Sequence, residues 1–183
     1  SDQIETNSII VELLKILIAT TEPITVQSLQ IPGWYISYDN LLREEHRDVY
    51  SNGCFDTGMA HGISGCLAIL AKALICGINL PGLERAIRRI VHWLNQTRNN
   101  VGNCENTWPG RFAFQPLSTN YLEVKSHFYR DGWCYGAPGV AMSMLLAGCA
   151  LKDREIYDEA IRIMTDVCNR YPAKSGLQCP SFC

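Results

Sequence analysis

The chain has 183 residues, of which 47% are hydrophobic and 19% charged, and its formal net charge is -2. That length allows one domain with a real core, and the composition is too apolar for a disordered chain. The near-neutral charge and the lack of a lysine- or arginine-rich block give no general attraction to nucleic acid or anionic lipid, so neither is an expected partner.

The first apolar stretch, Ile9 to Ala19, contains Glu12 and Lys15 and is far shorter than the roughly 20 residues that a membrane span needs. It lacks the basic leader and small-residue cleavage site of a signal peptide, so a soluble cytoplasmic protein is the expectation. Residues 7–19 are predicted to form a helix capped by Asn7, with Pro23 shortly beyond its end. Residues 20–60 read as mostly irregular, punctuated by Pro23, Pro32-Gly33 and Asn52-Gly53, with a short helical turn in the charged run Leu41 to Asp48.

Two helix pairs follow. Residues 63–76 are apolar nearly all round, from Ile63 and Leu67 to Leu74 and Ile75, which predicts a helix buried on most sides. Residues 83–94 instead carry Leu83, Ala86, Ile87, Ile90, Val91 and Leu94 on one stripe, with Glu84, Arg85, Arg88 and Arg89 opposite. The alternation recurs: residues 140–150 are almost uniformly apolar, and residues 154–169 set Ile156, Ala160, Ile163 and Val167 against a charged face. A buried helix followed by an amphipathic one, twice over, predicts an all-α arrangement of inner and outer helix hairpins. Between the pairs, residues 99–132 contain Trp108-Pro109-Gly110 and Pro116 and read as one long loop. Strand-like alternation is weak throughout.

The odd count of nine cysteines and their scattered spacing argue against a secreted disulfide framework. Cys66, Cys76, Cys149 and Cys168 fall in helical patterns and read as small buried apolar residues. Cys54 and Cys104 lie in loops and carry no reading of their own. Cys134, Cys179 and Cys183 lie in turns marked by glycine or proline, where a thiolate can be presented.

The chemistry concentrates in two glycine-framed segments, Gly58-Met59-Ala60-His61-Gly62-Ile63-Ser64-Gly65 and Gly132-Trp133-Cys134-Tyr135-Gly136-Ala137-Pro138-Gly139. Each places a reactive side chain just ahead of an inner helix, whose free N–H groups favour thiolates and developing anions. Cys179-Pro180-Ser181-Phe182-Cys183 reads as the opening of a third such segment. Two thiolates with a histidine and an open position make a catalytic zinc arrangement; the alternative is that the cysteines are structural thiols.

At these residues the chain resembles the lanthionine synthetase C-like proteins, the lantibiotic cyclases of the nisin and subtilin cyclase type. The likeness rests on His61-Gly62-Ile63-Ser64-Gly65 and on Arg130-Asp131-Gly132-Trp133-Cys134-Tyr135-Gly136-Ala137-Pro138-Gly139. Asn52 to Gly58 and Trp108-Pro109 extend it. The family has a third motif, Cys-His-Gly, and Cys183 falls where its cysteine belongs. The resemblance implies an α/α toroid of inner and outer hairpins, of which residues 1–183 would be one part, truncated at both ends.

It also implies a reaction. A dehydratase makes dehydroalanine or dehydrobutyrine in a precursor peptide, and the cyclase adds a cysteine thiol of that peptide across the double bond to give a thioether ring. Cys134 and Cys183 map to zinc ligands, with the third, a histidine, expected just beyond Cys183. His61 maps to the active-site histidine, an acid for the enolate or a base near the thiol. Arg130 would stabilise enolate charge. Tyr135 would assist proton transfer, and Trp133 would contact substrate unless it is core packing. The partners implied are the dehydrated lantibiotic precursor, the dehydratase, and an ABC exporter that would hold the assembly at the inner face of the cell membrane.

Bland readings stand beside these. His61 among glycines is also compatible with a structural histidine, and Arg130-Asp131 with a local ion pair that shapes the turn. His46, His92 and His127 have no motif support. A binding or docking module of the same fold, taking the precursor or glutathione, is the second function considered. A glycosidase using carboxylates among Asp56, Glu105, Glu123 and Asp131 is the third, but nothing in their setting marks an acid/base pair.

Overall fold

A computed structural model describes residues 2–101, 104–118, 120–125 and 131–170. Helix α1 spans Asp2–Thr20, so Asn7 lies inside it rather than at its cap. The five residues ahead of the expected start include neither Gly nor Pro, so nothing in the sequence stops the helix from starting earlier. One side of α1 sends Leu14 and Ile18 into the core, while Ile9, Leu13 and Ile16 stand exposed.

Residues 20–60 are more regular than expected. They form a hairpin of β1 (Ile24–Val26) and β2 (Leu29–Ile31), a 3-10 turn at Tyr38–Asn40, helix α2 (Glu44–Val49) and strand β3 (Cys54–Asp56). The hairpin turns on Gln27 and Ser28, both with positive φ. A two-residue hairpin loop favours that conformation, but here it lacks the Asn-Gly or Asp-Gly pair that would announce it. Helix α2 lies within the charged run where a helical turn is expected, ending one residue beyond it.

The two helix pairs are present. Helix α3 covers Ile63–Ile75 and α4 covers Leu83–Gln96. After them, the stretch expected to be one long loop contains β4 (Asn99–Val101), β5 (Cys104–Thr107), β6 (Arg111–Phe114) and β7 (Leu122–Glu123). Helices α5 (Ala137–Leu151) and α6 (Arg154–Arg170) complete the described chain. The described chain is therefore mostly helical, with several short strands. Among the described residues no helix is long and apolar enough to cross a membrane.

Helices α3 and α5 pack side by side, and each carries its return helix, α4 or α6, against it. The apolar stripe of α4 is buried at all six expected positions, joined by Trp93. Helix α6 buries Ala160, Ile163 and Val167. The inner helices depart from expectation. Helix α3 buries Leu67, Leu70 and Ala71, but Ile69 is 55% and Ile75 44% exposed. A helix that is apolar all round needs neighbours all round, and the described elements cover only the flanks facing α1, α4 and α5. The cysteine readings also change: Cys76, Cys149 and Cys168 are exposed and Cys66 is half-buried. Cys76 caps the C-terminus of α3, Cys149 is near the end of α5, and Cys168 lies on α6, all three at the surface, whereas Cys66 packs against the core.

A three-stranded antiparallel sheet, in the order β3-β6-β7, fastens residues 54–56 to the middle of the chain. Its register sets Cys54 opposite Ala113, Phe55 opposite Phe112 and Asp56 opposite Arg111. Phe55 is completely buried, with its ring centroid 5.6 Å from Tyr35, 5.8 Å from Tyr121 and 6.0 Å from Trp93. Trp93 belongs to α4, so this aromatic cluster glues the sheet to the outer helix. Strands this short, buried on both faces, show no period-2 signal. That is why β3 and β6 were not legible in the sequence. Replacing Phe55 with Ala should cost about 3–5 kcal/mol, seen as a lower urea midpoint with an unchanged slope. A loss under about 1 kcal/mol would contradict a cluster centred on Phe55.

Candidate active site

The two glycine-framed segments meet. The Met59 amide donates to the carbonyl of Cys134 at 2.8 Å. A Cβ on Gly58 would lie 2.6 Å from the Tyr135 ring and 2.8 Å from the Cys134 carbonyl, so only glycine permits this approach. On the other side, a Cβ on Gly139 would fall 2.2 Å from the Trp133 carbonyl. Thr57 ties the first segment to the loop after β5, donating through Oγ1 to the Pro109 carbonyl at 2.6 Å, and Ser64 Oγ donates to the Thr57 carbonyl at 2.6 Å.

Asp56 lies at the centre. Its side chain is 2% exposed. Oδ1 accepts from the Gly58 amide at 2.9 Å, and Oδ2 accepts from Arg111 Nε at 2.9 Å and from the Tyr135 hydroxyl at 3.3 Å. The ion pair is a directly opposed cross-strand pair of β3 and β6. Burial, with the Asp56 charge behind it, raises the Tyr135 phenol above its ordinary value, so at neutral pH it is an O–H donor. Burial works against the charge on Arg111, but the hydrogen bond and charge of Asp56 outweigh it and hold Arg111 as a firm cation.

Arg111 Nη1 lies 2.8 Å from His46 Nδ1. A guanidinium only donates, so this contact assigns Nδ1 as the acceptor of a neutral ring. Burial first, then the charges of Arg111 and Arg43, push the His46 pKa below its usual range. These groups face a cavity of about 750 Å³ whose lining also includes His61, Trp108 and Leu42.

The structure brings together some of the expected site residues. His61 is exposed on the cavity wall, and Tyr135 lines the same space. Trp133 is 51% exposed, which removes the core-packing reading. Cys134 is half-buried and disulfide-bonded. Arg130 and Cys183 lie outside the described residues, as do Cys179 and His127. Among the described residues no group of three or more His, Cys, Asp or Glu side chains is placed to hold a metal. Cys134 supplies a single sulfur, so the described residues alone complete no zinc shell.

Asp131 is 3% exposed and accepts from Arg170 Nη1 at 3.1 and 3.3 Å, which makes it a long-range anchor to the end of α6. Burial raises its carboxyl pKa and Arg170 draws it back. Arg170 also donates to the carbonyls of Glu105 and Asn106. Asp56 and Asp131 are each committed to an arginine, Glu123 pairs with Lys125, and Glu105 is exposed, so nothing in their setting marks a glycosidase pair.

Sequence reasoning missed Arg111 and His46 and gave Asp56 no role in this site. No spacing connects these three residues. Asp56 and Arg111 meet because β3 and β6 pair across two helices, and α2 brings His46 to Arg111.

Inner helices that start from glycine-framed segments, backed by amphipathic return helices, with reactive side chains gathered at those starts, define a helical-hairpin protein with a rim-sited candidate active site. The model of the lanthionine synthetase C-like proteins matches residues 2–183, and the chain belongs to that family. It is 28% identical over 171 residues to the nisin biosynthesis protein NisC of Lactococcus lactis subsp. lactis, across 93% of this chain and 40% of that protein. The solved structure of nisin cyclase matches with a TM-score of 0.77 at 25% identity, over 91% of this chain and 40% of that one. The chain thus spans about 40% of the length of these two relatives.

Asp131→Ala would leave Arg170 buried without its counter-charge. It should destabilise the protein by about 3–5 kcal/mol, and Arg170→Met in the same background should recover much of that. A single-variant loss within about 0.5 kcal/mol would show that the pair does not anchor α6.

Proposed function

We propose that the protein is a lanthionine-forming peptide cyclase, joining a cysteine thiol of a precursor peptide to a dehydroalanine or dehydrobutyrine of the same peptide. The observation that carries this reading is the direct junction of the His61 and Cys134 segments beside an open cavity. The chain's likeness to NisC over 93% of its length supports it.

The reaction forms a bond between sulfur and the β-carbon of the dehydro residue. The π electrons move to the α-carbon and its carbonyl as an enolate, and a proton is then added at the α-carbon. The thiol proton leaves before attack and one proton returns, so mass is unchanged. A free thiol has a pKa near about 8.5, so it is only partly ionised at neutral pH. Zinc held by Cys134, Cys183 and a histidine beyond Cys183 would supply a deprotonated substrate thiol. Cys134 has to be reduced to take that role.

His61, open to the cavity, exchanges the proton with the thiol or with the enolate carbon. Tyr135, kept protonated and tied to Asp56, presents its hydroxyl beside that step. Arg130 stabilises enolate charge, and the exposed Trp133 ring contacts the peptide. The dehydrated lantibiotic precursor is the substrate. A dehydratase and an ABC exporter are the proposed partners of a cytoplasmic enzyme held at the inner face of the membrane.

The test uses the complete protein, reduced and loaded with zinc, with a dehydrated precursor. Free thiols should disappear without change in mass, and His61→Ala should slow this by about 10²-fold or more. Thiols that persist with zinc-loaded protein would refute the proposal.

A further inference from the structure

The turn that carries Cys134 is held from two sides. On one side the Met59 amide donates to the Cys134 carbonyl at 2.8 Å, and within the turn the Gly132 amide donates to the Tyr135 carbonyl at 3.1 Å. These bonds fix the turn to the His61 segment and to itself. On the other side stands Asp131, which opens the turn. It is 3% exposed, and a carboxylate so deeply buried is costly without a counter-charge.

Arg170, the last residue of α6, supplies that charge. Its Nη1 donates to both Asp131 oxygens, at 3.1 and 3.3 Å, and its Nη2 donates to the carbonyls of Glu105 and Asn106. One planar guanidinium fork thus joins the Cys134 turn, strand β5 and the end of α6. A lysine ammonium carries the same charge but has no second nitrogen with which to do this. The chain that leaves α6 is the one that carries Cys183. On the cyclase reading, Cys134 and Cys183 hold one zinc ion, so the segments that bear them have to be set at a fixed separation. Cys134 suits a metal-bound thiolate, because it lies just ahead of Gly136, the cap of α5, where free amides favour negative charge on sulfur.

We propose that Asp131 and Arg170 are positioning residues for the metal: their buried pair sets the Cys134 turn against the end of α6, from which the chain runs on to Cys183. The proposal rests on the cyclase reading with zinc at those two cysteines. It gives Asp131, which is neither a ligand nor a proton carrier, a role in the site beyond stability. Outer partners that fix the place of a ligand govern metal affinity as well as fold. Here the partner acts on the backbone that presents Cys134 rather than on the sulfur.

The test is the zinc affinity of the complete, reduced protein, measured by competition with a chromophoric chelator at a temperature where circular dichroism shows each variant folded. Asp131→Asn keeps the shape of the side chain and removes its charge. It should weaken zinc binding about tenfold or more, the scale on which partners that orient a ligand act. Arg170→Lys, which keeps the charge and loses the fork, should fall between wild type and Asp131→Asn. Ile87→Ala is the control for lost stability: Ile87 is fully buried on α4, outside both glycine-framed segments, and this variant should bind zinc as wild type does. Wild-type affinity in Asp131→Asn overturns the proposal, and so does an equal loss in Ile87→Ala, which would mark a general effect of stability. Where Asp131→Asn does not fold, Arg170→Lys decides, and wild-type affinity there overturns the proposal. A wild-type protein that binds no zinc refutes the zinc chemistry of the cyclase reading and this proposal with it. Zinc binding without turnover refutes the cyclase alone, and the variant affinities still decide the pair, so the two failures are distinguishable.

Discussion

A carboxylate taken out of water costs several kcal/mol unless its oxygens are met by donors, and Asp56 is 2% exposed. Three donors meet it, and each comes from a different part of the structure: the Gly58 amide at the entrance to the His61 segment, Arg111 on β6, and the Tyr135 hydroxyl beside Cys134. The group's desolvation is offset only when all three parts are assembled. The same contacts that make the site thus hold the small sheet against the helical hairpins, and local order around His61 and Tyr135 follows from that mutual dependence. The Met59 to Cys134 backbone bond closes the junction without any side chain.

Helices were legible in the sequence because their packing repeats along the chain. The stripe of α4 gives a clear period, and its six apolar positions are all buried. The uniform inner helices were recognised as helices, but polarity alone does not say how many neighbours they have. Ile69 and Ile75 show the consequence, standing exposed on a side that the described elements leave open. The strands were not legible. Strand β3 is a run of three buried residues, and its partner β6 lies more than fifty residues on, so neither alternation nor a turn signal points to the pairing.

The site divides along the same line. His61, Trp133, Cys134 and Tyr135 were found because glycines frame them, and glycine is a signal that survives in one dimension. Asp56, Arg111 and His46 carry no such frame; their roles arise from a cross-strand register and from the cavity it borders. The motif residues supply reactive groups, while the residues without motifs set charge, proton position and shape around them. Motifs alone therefore leave out the groups that set the charge and shape of the cavity.

The measurement that bears most directly on this account is a double-mutant cycle on unfolding free energy with Asp56→Asn and Tyr135→Phe. If Asp56 joins the two segments through the Tyr135 hydroxyl, each single variant should lose stability and the pair should lose less than the sum, with a coupling of at least about 0.5 kcal/mol. Strict additivity within about 0.3 kcal/mol would mean that the two side chains do not share an interaction, and the Asp56 hub would not stand.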